Sequence, residues 1–315
     1  MHRGLERSIL KTLSYFDTFD FPLTKEELFR WLWEPPQTSY QAFLTTLDSL
    51  IAQEQISLWR GFCILPGQEK SVDTRQAAIA LVKQKMKKAR RAAWLMQQVP
   101  NVSAIFVCNT VASSIPTPES DIDVFIVVKE KKLWLTRLCI TVLLSIFGLR
   151  RTKTRIADRI CLSFYITDEH LDLYTIMRKP HDIYLAYWMD QLVSLYDPTG
   201  LAQKLYEQNS WVQQYLPHTT CEEKKHRLIQ VSSTPFFLFL VKKLEQLLNT
   251  PFGRWCEKKA QQLQQKKMKK NNTSVALFPD TRVVVNEYML KFHENDRREF
   301  FATRWKDRCW KEKVI

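Results

Sequence analysis

The residues of this chain with the clearest chemical pattern are Ser120-Asp121-Ile122-Asp123, set at the head of an apolar run, Val124-Phe-Ile-Val-Val128. Residues two apart in a strand point to the same side, so Asp121 and Asp123 project together from its start. Carboxylates that close repel unless a positive charge sits between them. A divalent cation, Mg²⁺ or Mn²⁺, meets that need and leaves coordination sites for phosphate oxygens. Bound there, it would orient a triphosphate and neutralise charge developing at a transferred phosphorus. The plainer alternative is a pair of solvated turn aspartates. Other candidates are weaker. His170, His181, His218, His226 and His293 have no metal-ligand spacing and read as surface or structural residues. Ser113 and Ser114 have no local partners for a Ser-His-Asp triad.

The elements that must position the aspartates follow from apolar patterning. Val102–Val107 is β-branched and apolar, a buried strand. A polar loop, Asn109–Ser120, carries Pro116 and Pro118, and Ile122–Val128 is a second strand. Lys131–Leu149 reads as a buried helix, Ile160–Ile166 as a third strand and Leu171–Ile176 as a possible fourth. From His181 onward the pattern is helical, through Ile183–Leu195, Leu201–Trp211, Phe236–Leu248 and Arg254–Lys270. The tail, Val283–Trp310, mixes an apolar segment with a charged one.

A strand, a polar loop and then Ser-Asp-Ile-Asp ahead of an apolar strand resembles the DNA polymerase β-like nucleotidyltransferase superfamily. In that family an apolar strand ends in Gly-Ser or Gly-Gly, and a spacer of about ten residues leads to Asp-x-Asp. Here Asn109-Thr110 stands at the Gly-Ser position, with ten residues between it and Asp121. The opening Leu10-Lys-Thr-Leu-Ser-Tyr-Phe-Asp-Thr-Phe-Asp-Phe-Pro-Leu-Thr24 looks like the start of uncharacterised bacterial nucleotidyltransferase-domain proteins. So do Leu133-Trp-Leu-Thr-Arg137, Cys161-Leu-Ser-Phe164 and Leu290-Lys-Phe-His-Glu-Asn-Asp-Arg-Arg298. The resemblance implies that Asp121 and Asp123 are catalytic metal ligands for Mg²⁺ or Mn²⁺. It implies that Thr110, with Asn109 and Ser120, holds an NTP.

Two departures stand out. Asn109 replaces the glycine that lets the loop backbone approach phosphate, although asparagine tolerates unusual dihedrals better than most residues. Active members also carry a third carboxylate on a neighbouring strand. The matching strand here places Ser163 near that position and holds no acid, with Asp172, and less well Asp158, as substitutes.

The first 67 residues read as three helices and a hairpin. Ile9, Leu10, Leu13 and Phe16 form a stripe, and Thr24 with Glu27 forms a capping box. Ser39 caps a third helix, and Gln55–Trp59 and Phe62–Leu65 flank a turn at Arg60-Gly61. That order suggests a winged-helix-like module. The helix before the wing has no Lys or Arg from Thr38 to Gln55, so sequence-specific DNA binding is not expected.

Asp73–Gln98 is one long helix with a cationic run, Lys83–Arg91. Together with Arg254–Lys270 it would form a track for RNA or another polyanion if both faced the cleft holding Asp121. Otherwise these are solvated faces. The 315 residues carry 47 Lys and Arg against 33 Asp and Glu, a net charge of +14 that favours a polyanionic partner. Glycine numbers six, with none between Gly67 and Gly148, which excludes a Walker loop or GxGxxG fingerprint there. Seven cysteines with no CxxC pair exclude a zinc ribbon. Their odd number, with no signal peptide read, leads to the expectation of a reducing cytoplasm. The longest apolar run, Leu138–Leu149, is too short for a transmembrane segment.

The expected fold class is thus α/β (α+β), a nucleotidyltransferase-like mixed-sheet core over residues 68–180. A winged-helix-like module (1–67) precedes it and a helical region (181–315) follows. The expected activity is Mg²⁺-dependent transfer of a nucleoside monophosphate from an NTP to an acceptor hydroxyl. The alternative is a lapsed nucleotidyltransferase that binds nucleotide or RNA or serves as a protein-interaction module.

Overall fold

The computed structural model describes residues 2–220, 230–232, 234–269, 281–293 and 295–311. Helix α1 (His2–Asp17) buries Leu5, Ile9, Leu13 and Phe16 on one face. Pro22 ends any continuation, and a short strand, β1 (Leu23–Thr24), leads into α2 (Lys25–Arg30). The capping box forms as expected: Glu27 N donates to Thr24 Oγ1 at 3.2 Å and Thr24 N to Glu27 Oε2 at 2.9 Å. Ser39 caps α3 (Tyr40–Ala52), its hydroxyl accepting from Ala42 N. Strands β2 (Ser57–Trp59) and β3 (Phe62–Ile64) turn at Arg60 and Gly61, both with positive φ, the geometry a two-residue hairpin requires. The three strands form an antiparallel sheet in the order β1-β3-β2.

Helix α4 (Glu69–Met96) leads to β4 (Val102–Val107) and a one-turn helix, α5 (Asn109–Ala112). Strand β5 (Ile122–Val128) pairs antiparallel with β4. A crossover through α6 (Leu133–Ile146) brings β6 (Ile160–Thr167) parallel to β5, as a same-sheet parallel pair requires. Alternation splits β5 cleanly. Ile122, Val124, Ile126 and Val128 pack with α4 and α6, whereas Phe125 and Val127 join the core on the other face. Helix α6 is buried along one side only: Ile140 and Leu144 are covered, but Val142 and Ile146 are exposed.

The fourth strand is not at Leu171–Ile176. That segment is irregular and ends in a 3-10 turn, Tyr174–Ile176. Leu171 and Leu173 are buried and alternate like strand residues, but their backbone N–H groups donate to the side chains of Gln208 and Asn209. Beyond residue 181 the chain is helical only in part. After α7 (Ile183–Asp190) comes β7 (Val193–Tyr196), then α8 (Leu201–Gln208) and α9 (Val212–Tyr215). Helices α10 (Pro235–Leu248) and α11 (Pro251–Lys269) follow, then β8 (Val283–Val285), β9 (Met289–Phe292) and α12 (Arg298–Lys311). The result is a mixed six-stranded sheet in the order β7-β4-β5-β6-β9-β8. Short strands directly abutting helices leave too few residues for a period of two to stand out, which is why β7 read as a continuation of α7. His226 and Lys270 lie outside the described residues.

The apolar core crosses the boundaries read at residues 67 and 180. Tyr15 stacks on Tyr187 with ring centroids 4.5 Å apart, and Trp33 stacks on Tyr215 at 4.9 Å. Trp31 Nε1 donates to Asp190 Oδ2, Tyr187 Oη to Trp31 O, and Trp305 Nε1 to Lys11 O. One buried cluster therefore runs from α1 to α3, across one face of the large sheet, and on to α7–α9 and α12. Among the described residues no helix is long and apolar enough to cross a membrane.

Candidate functional site

Strand alternation places Asp123 on the same side of β5 as Phe125, facing the N-terminal helices rather than α4 and α6. Directly across the parallel pair is Cys161. Between Asp123–Phe125 and Cys161–Phe164 the register shifts, with one extra residue in β6. Bulges of this kind re-aim side chains next to a cavity. Here Ser163 and Phe164 both reach the same cavity as Cys161.

That cavity has a volume of about 610 Å³. Its floor is the start of β5 and β6, with the Asn109–Thr110 turn beside it. Its walls come from distant parts of the chain: Phe16 on α1 and Phe19 in the turn after it, Tyr184 and Trp188 on α7, and the tail around Lys291 and Asp296. Asp121, Asp123, Asn109 and Thr110 all line it. Ser120 does not. Its hydroxyl accepts from Thr117 N at 2.9 Å and closes the turn before Asp121. Its expected role at a nucleotide therefore gives way to a turn-closing one.

Asn109 has φ of 55°, in the left-handed region where glycine is favoured and asparagine tolerated. The backbone conformation that the substitution of glycine put in question is thus present. The Asn109 side chain is held too: Trp188 Nε1 donates to its Oδ1 at 2.8 Å.

The electrostatics are those of a crowded carboxylate pair. Burial, then repulsion from Asp121, raises Asp123 above the usual carboxylate range, against hydrogen bonds from Asn109 and Cys161 and the charge of Arg151. Arg151 Nη1 makes an ion pair with Asp121 Oδ2 at 2.8 Å. Ligand atoms of Asp121, Asp123 and Cys161 lie within 4.8 Å of one another. Burial and the neighbouring carboxylates push the Cys161 thiol up to about 12, so it stays protonated at neutral pH.

None of the expected third carboxylates is there. Asp172 is exposed and accepts from Tyr174 N, two residues on. Asp158 pairs with Lys85 at 3.1 Å and Lys88 at 2.6 Å. Ser163 instead shares a hydrogen bond of 3.0 Å with His293 Nε2. Burial and the charge of Lys291 lower His293 to about 3, so its ring is neutral. A carboxylate does line the cavity, but from the tail. Asp296 is bound by Arg298, with Nε···Oδ2 at 2.8 Å, and by Lys291 at 3.3 Å. Arg298 also pairs with Asp182 at 3.0 Å. Two buried cations and two buried acids thus neutralise one another, the condition for keeping such charges out of water. Sequence reasoning missed Arg151, Cys161, His293 and Asp296 as wall residues. Their only signal was their place in segments quoted for the family resemblance or, for Arg151, beside the crossover helix.

The cationic helices are not arranged as a track across this cleft. No Lys or Arg of Lys83–Arg91, nor of Arg254–Lys269, is among the described residues lining the cavity. Lys85 is fully buried, its Nζ donating to Ser120 O at 2.7 Å and Pro118 O at 3.2 Å. Four of the six cations in the first run are exposed elsewhere on α4.

Compared with known proteins, the chain matches no family model, no curated protein and no solved structure.

Proposed function

We propose that the cavity binds a nucleoside triphosphate with a divalent cation and transfers its nucleotidyl group to an acceptor hydroxyl. The observation that carries this reading is the convergence of Asp121 and Asp123 on one wall of a cavity large enough for a nucleotide. Their chemistry fits a hard cation such as Mg²⁺: even with Arg151 paired to Asp121, the two carboxylates are crowded enough that Asp123 resists ionisation, and a divalent ion between them would relieve that repulsion. Cys161, protonated and soft, is no third ligand for such an ion. When bound, the cation would neutralise phosphoryl charge. The chain's own residues do the rest. Asp121 and Asp123 hold the ion, and the Asn109–Thr110 turn borders the space for phosphates. Exposed Arg297 on the cavity wall offers a guanidinium to them, and Trp188 fixes Asn109.

A second reading, nucleotide binding without turnover, is favoured by the Ser163–His293 pair. The family's third carboxylate would deprotonate the acceptor. A neutral imidazole held at about 3 does not accept a proton at neutral pH.

The N-terminal helices and small sheet follow the order helix, strand, helix, helix, strand, strand. That order supports a winged-helix-like module used for packing against the core rather than for reading DNA. The exposed residues of α3 are Tyr40, Gln41, Thr45, Asp48, Ser49 and Ala52, with no cation among them.

Thermal melting with millimolar NTP and Mg²⁺ or Mn²⁺ tests both readings, because a ligand that binds only the native state raises the melting temperature. Asp123→Asn should abolish the rise. Labelled-NTP transfer to candidate acceptors, with Asp121→Ala/Asp123→Ala as control, then separates them. A rise with transfer supports the enzyme, and a rise without transfer supports the binding protein. An unchanged melting curve overturns both.

A further inference from the structure

Helix α10 has fourteen residues and none is buried, although most are apolar. Phe236 is 65% exposed and Phe239 57%, and Leu240 and Leu247 are also open to solvent. These four fall along the side of the helix opposite Val241 and Glu245. The next helix continues the pattern. Along α11, Phe252, Trp255 and Leu263 are exposed at spacings of three and eight, with Lys259 and Lys266 on the same stripe. The two helices are joined by only Asn249 and Thr250. Their approach is close: a Cβ on Gly253 would meet the Leu248 carbonyl oxygen at 1.9 Å, so only glycine fits.

The charges of this pair are sorted. It carries eight Lys or Arg, two from α10 and six from α11, and two acids. All eight cations are exposed. Both acids turn inward. Glu245 accepts from Asn101 N at 2.9 Å and from Lys129 Nζ at 2.8 Å. Glu257 accepts from Trp134 N at 2.7 Å and Leu135 N at 2.9 Å at the start of α6. Gln264 adds a hydrogen bond from Nε2 to Trp134 O. Polar groups therefore fasten the hairpin to the body while large apolar side chains and cations point away from it. That is the reverse of an ordinary surface helix, which hides its apolar face.

We propose that the α10–α11 hairpin is a membrane-surface element that seats on an anionic lipid bilayer without crossing it. Phenylalanine, leucine and tryptophan side chains at this density enter the boundary between headgroups and acyl chains, while lysines flanking them meet anionic headgroups. Trp255, with Lys259 Nζ 5.9 Å from its ring centroid, has the amphipathic character favoured at that boundary. Neither helix is long and apolar enough to span. The charge decides between occupants. A second copy of the chain would bring eight more cations to the same face, whereas an anionic bilayer complements them.

The test is co-sedimentation of the full chain with vesicles of phosphatidylcholine alone or mixed with phosphatidylglycerol, at low and high salt. The protein should pellet with the anionic vesicles, and less so at high salt. Phe239→Asp/Trp255→Asp, at exposed positions, should lower the partition coefficient at least about tenfold while leaving the circular dichroism spectrum unchanged. Lys258→Glu/Lys259→Glu should lower it in anionic vesicles only. The proposal is overturned if wild type stays in the supernatant with both vesicle types. It is also overturned if velocity sedimentation without lipid shows a dimer that Phe239→Asp/Trp255→Asp dissociates. Single-stranded RNA binding that is lost in Lys258→Glu/Lys259→Glu, without vesicle binding, would assign the face to nucleic acid instead.

Discussion

Asp296 shows how the tail serves the cavity. Burial alone would raise its carboxyl, but hydrogen bonds and charge from Arg298, and the charge of Lys291, hold it at about 2. A carboxylate whose folded value lies below its unfolded value contributes stability above the unfolded value, near pH 4, and that contribution fades as pH falls toward 2. The advantage of wild type over Asp296→Asn should therefore be on the order of 2 kcal/mol near neutral pH and shrink between about pH 4 and 2. Urea denaturation across pH 6 to 2 measures it, and an advantage that does not vary with pH would contradict the role given to this carboxylate. Lys291 behaves oppositely. Burial, then the charge of Arg298, lowers it to about 8, so its charged form is carried at some cost to stability.

Among the elements, α4 and the turn before β5 are joined by a single buried cation. Lys85 reaches from α4 to two carbonyls of the Pro118–Ser120 turn and to Asp158, whose backbone N–H donates to the carbonyl of Ser120, the residue just ahead of Asp121. Removing one partner of a buried charged cluster leaves the others without it, at a cost of about 3 kcal/mol. Lys85→Met should lower stability by that amount in urea titration. It should also weaken the metal- and NTP-dependent rise in melting temperature, since the turn that sets Asp121 loosens. Lys88, partly exposed and, among the described residues, ion-paired only with Asp158, is the control. Lys88→Met should cost less than about 1 kcal/mol. Equal effects from both substitutions would show that Lys85 is not the tie between helix and turn.

For the whole molecule, the packing of α1 to α3 on Tyr187, Tyr215 and Trp305 makes the N-terminal helices part of the main core. Tyr187 and Trp33, one from each part, are fully buried where the two parts pack together. Calorimetry should therefore show one cooperative transition for the N-terminal module and the large sheet, with van't Hoff and calorimetric enthalpies in agreement. Two resolved transitions, one assignable to residues 2–67 by its loss on truncation, would separate them.

Local rules were enough for much of this. The capping box at Thr24, the Ser39 cap, the Arg60-Gly61 turn and strands β4, β5 and β6 depend on residues a few positions apart, so composition and period exposed them. Asp123 at the head of β5 and Asp121 just ahead of it were legible as a pair, because residues two apart in extended backbone point to the same side. What encloses them was hidden. His293 and Asp296 come from more than 100 residues away through β9, whose four residues are too few to declare a strand. The direction of a lysine was equally invisible: Lys85 lies in a run that reads as a solvated face, and only the arrival of Pro118, Ser120 and Asp158 turns it inward. The apolar helix α10 is the converse. Hydrophobicity says that a face seeks cover but not what supplies it, and only the tertiary structure, by fastening Glu245 and Glu257 inward, leaves that face pointing out.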